Sequence, residues 1–233
     1  LLEETLTQAK LEEAGIALEG KEPADALKWA FERFGVETIA LACSFGAEDV
    51  ALVDLVAEIR PGSRVFYLDT DVLFPETYDV IAKCQARYDL KFERISPLLT
   101  LEEQAAQHGD ALWSADPDAC CGIRKVEPLK RVLSGLEAWI TGIRREQSPT
   151  RANAKMVEHD AKFNLVKINP LVGWTDRDVW QYIHDHDVPY NVLHDQGYPS
   201  IGCTHCTRQV APGEDPRAGR WSGFNKTECG LHK

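Results

Sequence analysis

Thr38-Ile39-Ala40-Leu41-Ala42, running into Cys43-Ser44-Phe45-Gly46-Ala47-Glu48-Asp49, is the stretch from which the fold can be read. Its first five residues are a short apolar run, the pattern of a strand buried on both faces. The next seven place Ser44 and Gly46 at a turn. Beyond them, residues 48–59 carry Val50, Val53, Ala57 and Leu52, Val56, Ile59 at helical spacings. Strand, turn and helix in that order form the opening unit of a parallel sheet.

The same alternation continues outward. Residues 64–68 are β-rich and end in Asp69-Thr70-Asp71, 75–88 read as helix, and 91–95, 137–141 and 165–168 read as strands. Residues 175–185 predict a helix capped by Thr175, with Asp178 three positions on, while 2–18 and 23–34 predict two leading helices, the second with Pro23 at its start. The expectation is an α/β fold with a parallel sheet and helices on both faces, binding its ligand beyond the carboxyl ends of the strands. After Gln209 the composition turns to loop material, Ala211-Pro212-Gly213-Glu214-Asp215-Pro216. This divides the chain into an α/β domain over 1–208 and a mobile C-terminal tail over 209–233.

Composition narrows the function. The 233 residues are 44% hydrophobic, enough for a packed core, and carry a net charge of −11. That charge repels nucleic acid and anionic membranes, so neither is expected as a partner. No apolar run approaches the roughly 20 residues that span a bilayer. The N-terminus is acidic and amphipathic rather than signal-like, which predicts a cytoplasmic protein. The odd count of seven cysteines argues against a disulfide scaffold and for a reducing compartment. Oligomeric state is not legible, and a homo-oligomer stays open.

In so acidic a chain, gathered cations are informative. Cys120-Cys121-Gly-Ile-Arg124-Lys125 is followed by Lys130 and Arg131. Gly142-Ile143-Arg144-Arg145 runs on to Arg151 just past an expected strand end, and Arg217 and Arg220 flank Trp221 in the tail. Arginine's planar fork suits phosphate and sulfate. In the first loop, Ser44, Phe45 and Gly46 lie where backbone N–H groups could cradle an oxyanion at a helix start. Asp69 could accept from a ribose or an adenine, or simply cap its turn. Solvated surface remains the plain alternative for each cationic group.

Cys203-Thr-His-Cys206 supplies two thiolates on one turn, and Cys120-Cys121 could supply two more. Four thiolates suit zinc or an iron–sulfur cluster, and the adjacent pair favours the cluster modestly, since neighbouring side chains point apart. Cys43 and Cys84 read as structural. Cys229, between Glu228 and Gly230 near the chain end, has no packing reason to be there and is a candidate reactive thiol with His232 close by.

Taken together these motifs resemble the assimilatory adenylyl-sulfate reductases, and the first loop resembles the altered phosphate loop of the adenine-nucleotide alpha-hydrolase-like superfamily. The resemblance runs from Ser44 to His232. It implies adenosine 5′-phosphosulfate (APS) as substrate and Cys229 as the nucleophile that forms an S-sulfocysteine and releases AMP. It implies thioredoxin or glutaredoxin as the dithiol that frees sulfite. A [4Fe–4S] cluster on Cys120, Cys121, Cys203 and Cys206 is implied, ordering the site through Lys125 rather than passing electrons to substrate. Lys125, Arg151, Arg217, Arg220 and His232 match residues that hold phosphate and sulfate oxygens, and Ser44, Leu68 and Gly142 match nucleotide contacts. Three rivals stand: a reductase for the 3′-phosphorylated substrate (PAPS), whose sister group lacks the cluster cysteines; a non-catalytic zinc or nucleotide binder; and an ATP pyrophosphatase, against which the interrupted phosphate loop argues.

Overall fold

The computed structural model describes residues 8–224, 226 and 228–231. Helices α1 (Gln8–Leu18) and α2 (Pro23–Phe34) lead into β1 (Ile39–Ala42), α3 (Ala47–Ile59), β2 (Arg64–Leu68), α4 (Pro75–Arg87) and β3 (Lys91–Ile95). Then come α5 (Leu101–His108), α6 (Leu112–Ala115), α7 (Pro117–Cys121), a π-helical turn (Gly122–Val126) and α8 (Glu127–Leu133). The chain closes its sheet with β4 (Ala138–Ile140), β5 (Val157–Asp160) and β6 (Leu165–Ile168), followed by α9 (Asp176–Asp185).

The six strands are ordered β3-β2-β1-β4-β6-β5. All neighbours are parallel except β5, which runs antiparallel to β6 as a sheet edge. The sequence did not predict β5, because Val157-Glu-His-Asp160 offers a single apolar residue to mark a strand. Nor did it mark α5 to α8, which are short and carry little periodic apolar signal. Residues 2–7 of the leading helix expected over 2–18 lie outside the described residues.

Both faces of the sheet are buried, and the strands show it residue by residue. Ile39, Leu41, Val65, Tyr67, Ala138 and Ile140 enter the larger core beneath α1, α2, α3, α4 and α9. Ala40, Phe66 and Trp139, one position out of phase, enter a smaller core against Leu129 and Leu133 of α8. Side chains alternate across a strand, so a run apolar at every position requires cover on both sides. Each buried Leu or Ile contributes about 1.5–3 kcal/mol. Thr175 caps α9 as expected, its hydroxyl accepting from the Asp178 amide while the Asp178 carboxylate accepts from the Thr175 amide.

Strand order reverses between β1 and β4. The crevice beyond their carboxyl ends is where such sheets bind ligands, and the loops after β1 and β4 both open into it. The described part of 209–233 is docked on this body. The Trp221 amide donates to Cys206 O at 3.1 Å, and Trp221 is buried.

Candidate active site

A cleft of about 820 Å³ lies over the β1/β4 crevice. It collects Ser44, Phe45, Gly46, Leu68, Lys125, Gly142, Arg144, Arg151, Arg217, Arg220 and Cys229, residues drawn from the whole length of the chain. His232 lies outside the described residues. Arg145 points away and pairs with Glu19, just past the end of α1, at 2.7 Å, and Arg131 donates to Ser96 O on another surface.

The first loop is built around Asp49. The amide and hydroxyl of Ser44 both donate to Asp49 Oδ2 at 2.6 Å. The Ser44 N–H expected to cradle a ligand oxyanion is thus directed to the chain's own carboxylate, and the Gly46 amide lies 3.4 Å from Ser44 Oγ. Burial pushes the Asp49 carboxyl up to about 6, against the Ser44 hydrogen bonds that pull it down. Phe45 is buried with φ at 59°, a left-handed conformation that is costly for an aromatic residue. Edge-on packing against Tyr67 at 5.5 Å and stacking on Phe92 hold it there.

Arg144 reaches the cleft but is committed to protein groups. Its Nε and Nη2 donate to Glu48 Oε1 at 2.9 and 2.8 Å, and Trp174 O and the Asp176 and Glu146 carboxylates complete the shell. Burial raises the Glu48 carboxyl, but Arg144 and a Gln147 hydrogen bond outweigh it and hold it below its ordinary value. Asp69 is likewise taken. It is buried, pairs with Arg94 at 2.7 Å and accepts from Tyr78 Oη and the Asp71 amide, so of its two expected uses it serves as the turn cap.

The other cations face the tail. Arg151 donates through Nε and Nη2 to the two oxygens of Glu228, at 3.1 and 3.0 Å, and Arg217 Nη2 reaches Glu228 Oε2 at 3.3 Å. Gln147 ties this group to the sheet, accepting from the Arg144 amide and donating to Gly142 O at 3.1 Å each. Arg220 donates to Ser200 Oγ and Ile201 O, and its buried Nε finds no partner among the described residues. Cys229 is half-buried beside this group.

Cys120, Cys121, Cys203 and Cys206 come together around a second cavity of about 150 Å³. Lys125 and Trp221 belong to the walls of both cavities. The π turn after Cys121 aims Lys125 there; burial disfavours its ammonium, but negative charge on the Cys203 and Cys229 thiolates outweighs that and raises its pKa. Arg124, also on the π turn and almost fully buried, donates to Thr70 O and Leu99 O and pairs with Asp71 at 2.8 Å. The Thr70–Leu73 loop it holds meets the Cys203 segment through Thr70 Oγ1 and Cys203 Sγ at 3.4 Å and a Leu73–Cys203 bridge. Among the described residues no group of three His, Cys, Asp or Glu converges on the tight geometry of a single ion. Four thiols lining one cavity are a donor set that suits zinc or an iron–sulfur cluster. Cys43 borders the larger cleft and Cys84 lies in the larger core, with burial pushing both thiols up, Cys84 to about 12.

Sequence reasoning missed Asp49, Gln147 and Glu228 as organisers of the site. Asp49 and Gln147 are polar residues in a helix start and a short turn that follow strands, and Glu228 directly precedes the candidate thiol; these placements are the signals that could have marked them.

Residues 38–209 match the phosphoadenosine phosphosulfate reductase domain. The chain is 49% identical over 227 residues, 97% of its length and 98% of the relative's, to an adenosine 5′-phosphosulfate reductase of Halalkalibacterium halodurans. It is 53% identical to one of Geobacillus thermodenitrificans, covering 92% of this chain and 91% of that one. A phosphoadenylyl-sulfate reductase structure from Candida auris superposes with a TM-score of 0.76 at 32% identity, over 88% of this chain and 98% of that one. An FMN adenylyltransferase of Candida glabrata shares the fold, with a TM-score of 0.58 at 18% identity over 83% of this chain and 66% of that one.

Proposed function

The chain belongs to the phosphoadenosine phosphosulfate reductase family, and we propose that within it the protein reduces adenosine 5′-phosphosulfate to sulfite and AMP, with Cys229 as nucleophile. One observation carries the reading. Lys125, Arg151, Arg217 and Arg220 meet Cys229 in one cleft that shares a wall with the cavity of four cysteines.

The chemistry follows from that arrangement. The Cys229 thiolate attacks the sulfuryl sulfur of APS; a sulfur–sulfur bond forms, the sulfur–oxygen bond to phosphate breaks, and AMP leaves with the electron pair. Negative charge grows on the phosphate oxygen as it leaves, where the cations stabilise it. A protein dithiol of the thioredoxin or glutaredoxin type then supplies two electrons and two protons, giving bisulfite, the free Cys229 thiol and the donor disulfide. Ser44, Phe45, Gly46, Leu68 and Gly142 form the nucleoside end of the cleft. Arg144 acts there by holding Glu48 rather than by touching substrate.

Cys120, Cys121, Cys203 and Cys206 would hold a [4Fe–4S] cluster. Bound there, it supplies a fixed charge and a rigid anchor next to Lys125. Residues 209–233 form the tail that carries the nucleophile. Seven free thiols suit a reducing cytoplasm. No helix among the described residues is long and apolar enough to cross a membrane.

The test is to incubate reduced, donor-free protein with APS, and separately with PAPS, and read peptide masses. A gain of one SO3 on the Cys229 peptide from APS alone supports nucleophile, intermediate and substrate together. A gain from PAPS alone reverses the substrate, and no gain from either removes the mechanism.

A further inference from the structure

Glu228 is 4% exposed, immediately precedes Cys229, and has both carboxylate oxygens engaged. Oε1 accepts from Arg151 Nε at 3.1 Å, with Thr150 Oγ1 at 3.3 Å and Ser148 Oγ at 3.5 Å; Oε2 accepts from Arg151 Nη2 at 3.0 Å and Arg217 Nη2 at 3.3 Å. This fork-on-fork arrangement is the one arginine makes with any planar or tetrahedral oxyanion. Arg151 and Arg217 are also two of the cations given above to the substrate's anionic groups. One seat therefore has two claimants.

Simultaneous occupancy is electrostatically poor. Two like charges in van der Waals contact in a largely buried seat repel strongly, because little solvent is left to screen them. Exchange of one charge-assisted pair for another is close to balanced. The seat also requires an anion: burial and Arg151 both work against the Arg217 charge, and Glu228 opposes them.

We propose that Glu228 is an internal stand-in for the substrate's sulfuryl group. The carboxylate and the sulfuryl oxygens are alternative occupants of the Arg151–Arg217 seat, and their exchange brings the next residue, Cys229, to the sulfur. This rests on the functional reading above and adds to it a positioning residue. Glu228 neither attacks nor transfers a proton. It keeps the two guanidiniums aimed and neutralised, and yields them when a sulfuryl group arrives.

Exchange and simple anchoring predict opposite signs. APS is titrated by calorimetry into the full-length Cys229→Ser protein, as purified, with and without Glu228→Gln. Glutamine keeps the shape and removes the competing charge, so exchange predicts a Kd lower by about five-fold, the reciprocal of the fraction of molecules whose seat is open. An unchanged or higher Kd overturns the proposal and leaves Glu228 as a tail anchor. Should Glu228→Gln not fold, the Cys229→Ser protein decides alone: saturating inorganic sulfate must speed amide exchange at residues 228–231, and unchanged exchange overturns the proposal. If the parent protein binds no APS, the functional reading falls, and the sulfate arm still decides the exchange. If the parent binds APS and glutamine gives no tightening, the exchange alone falls.

Discussion

Gly142 approaches Asp49 so closely that a Cβ on residue 142 would stand 2.2 Å from Asp49 Oδ1 and 3.0 Å from the Glu48 Cβ. The loop after β4 thus touches the start of α3 through bare backbone. Asp49 cannot retreat, because it holds the amide and hydroxyl of Ser44. Gly142→Ala is expected to destabilise the protein by about 1–3 kcal/mol, the usual cost of overpacking. Urea denaturation reads that loss, and the KM for APS should rise in the same variant.

The Arg144–Glu48 pair sets a larger cost. Removing one partner of a buried ion pair leaves the other uncompensated, typically at about 3–5 kcal/mol. Arg144→Ala should fall in that range by chemical denaturation. Adding Glu48→Gln should restore part of it, because the orphaned charge is gone. Additive losses would show that the two residues are not coupled.

Opposed pH dependences are expected from the carboxylates of the site. Glu48 and Glu228 titrate below their ordinary value of 4.5, Glu228 because Arg151 and Arg217 outweigh its burial. Their contribution is complete above that value and disappears as pH falls through the lowered folded-state pKa. Asp49 is shifted the other way, from 3.8 to about 6, so its ionisation costs stability as pH rises through that interval. Asp49→Asn should therefore flatten the decline between those two values while leaving the acid limb intact. Thermal melts across pH check both signs.

How far the sequence reveals this molecule depends on how local each signal is. β1, β2, β4 and β6 are runs of apolar residues and were legible as strands. β5 was not, since Val157 is its one apolar residue and the Glu, His and Asp that follow give no strand signal at a sheet edge. The four-cysteine group, Lys125 and Cys229 stood out because their residue types are rare and chemically pointed. The true partner of Arg144 lies 96 positions away, and that of Arg151 is 77 away. Nothing local in Glu48 or Glu228 says which cation it will meet, so cations read as ligand contacts were found holding the protein's own carboxylates.

Substituting the cysteines separates the two cavities. Cys203→Ser should lose the brown colour and bound iron of the purified protein, measured by visible absorption and iron analysis. Cys229→Ser should keep both while forming no S-sulfo adduct with APS. Colourless wild-type protein containing zinc would remove the cluster.

The π turn at Gly122–Val126 sits between Cys121 and the buried leucines of α8. A π turn is an α-helix with one residue inserted, and one residue rotates a helix by about 100°. Upstream of the turn the helical phase suits two thiols, and downstream it suits Leu129 and Leu133 in the smaller core. The two phases are incompatible in an uninterrupted helix, and the extra residue reconciles them while turning Lys125 toward both cavities. This segment is therefore constrained in length as well as in chemistry. Deleting a single residue there would swing either the cysteines or the leucines out of register, and no side-chain substitution nearby could restore the phase.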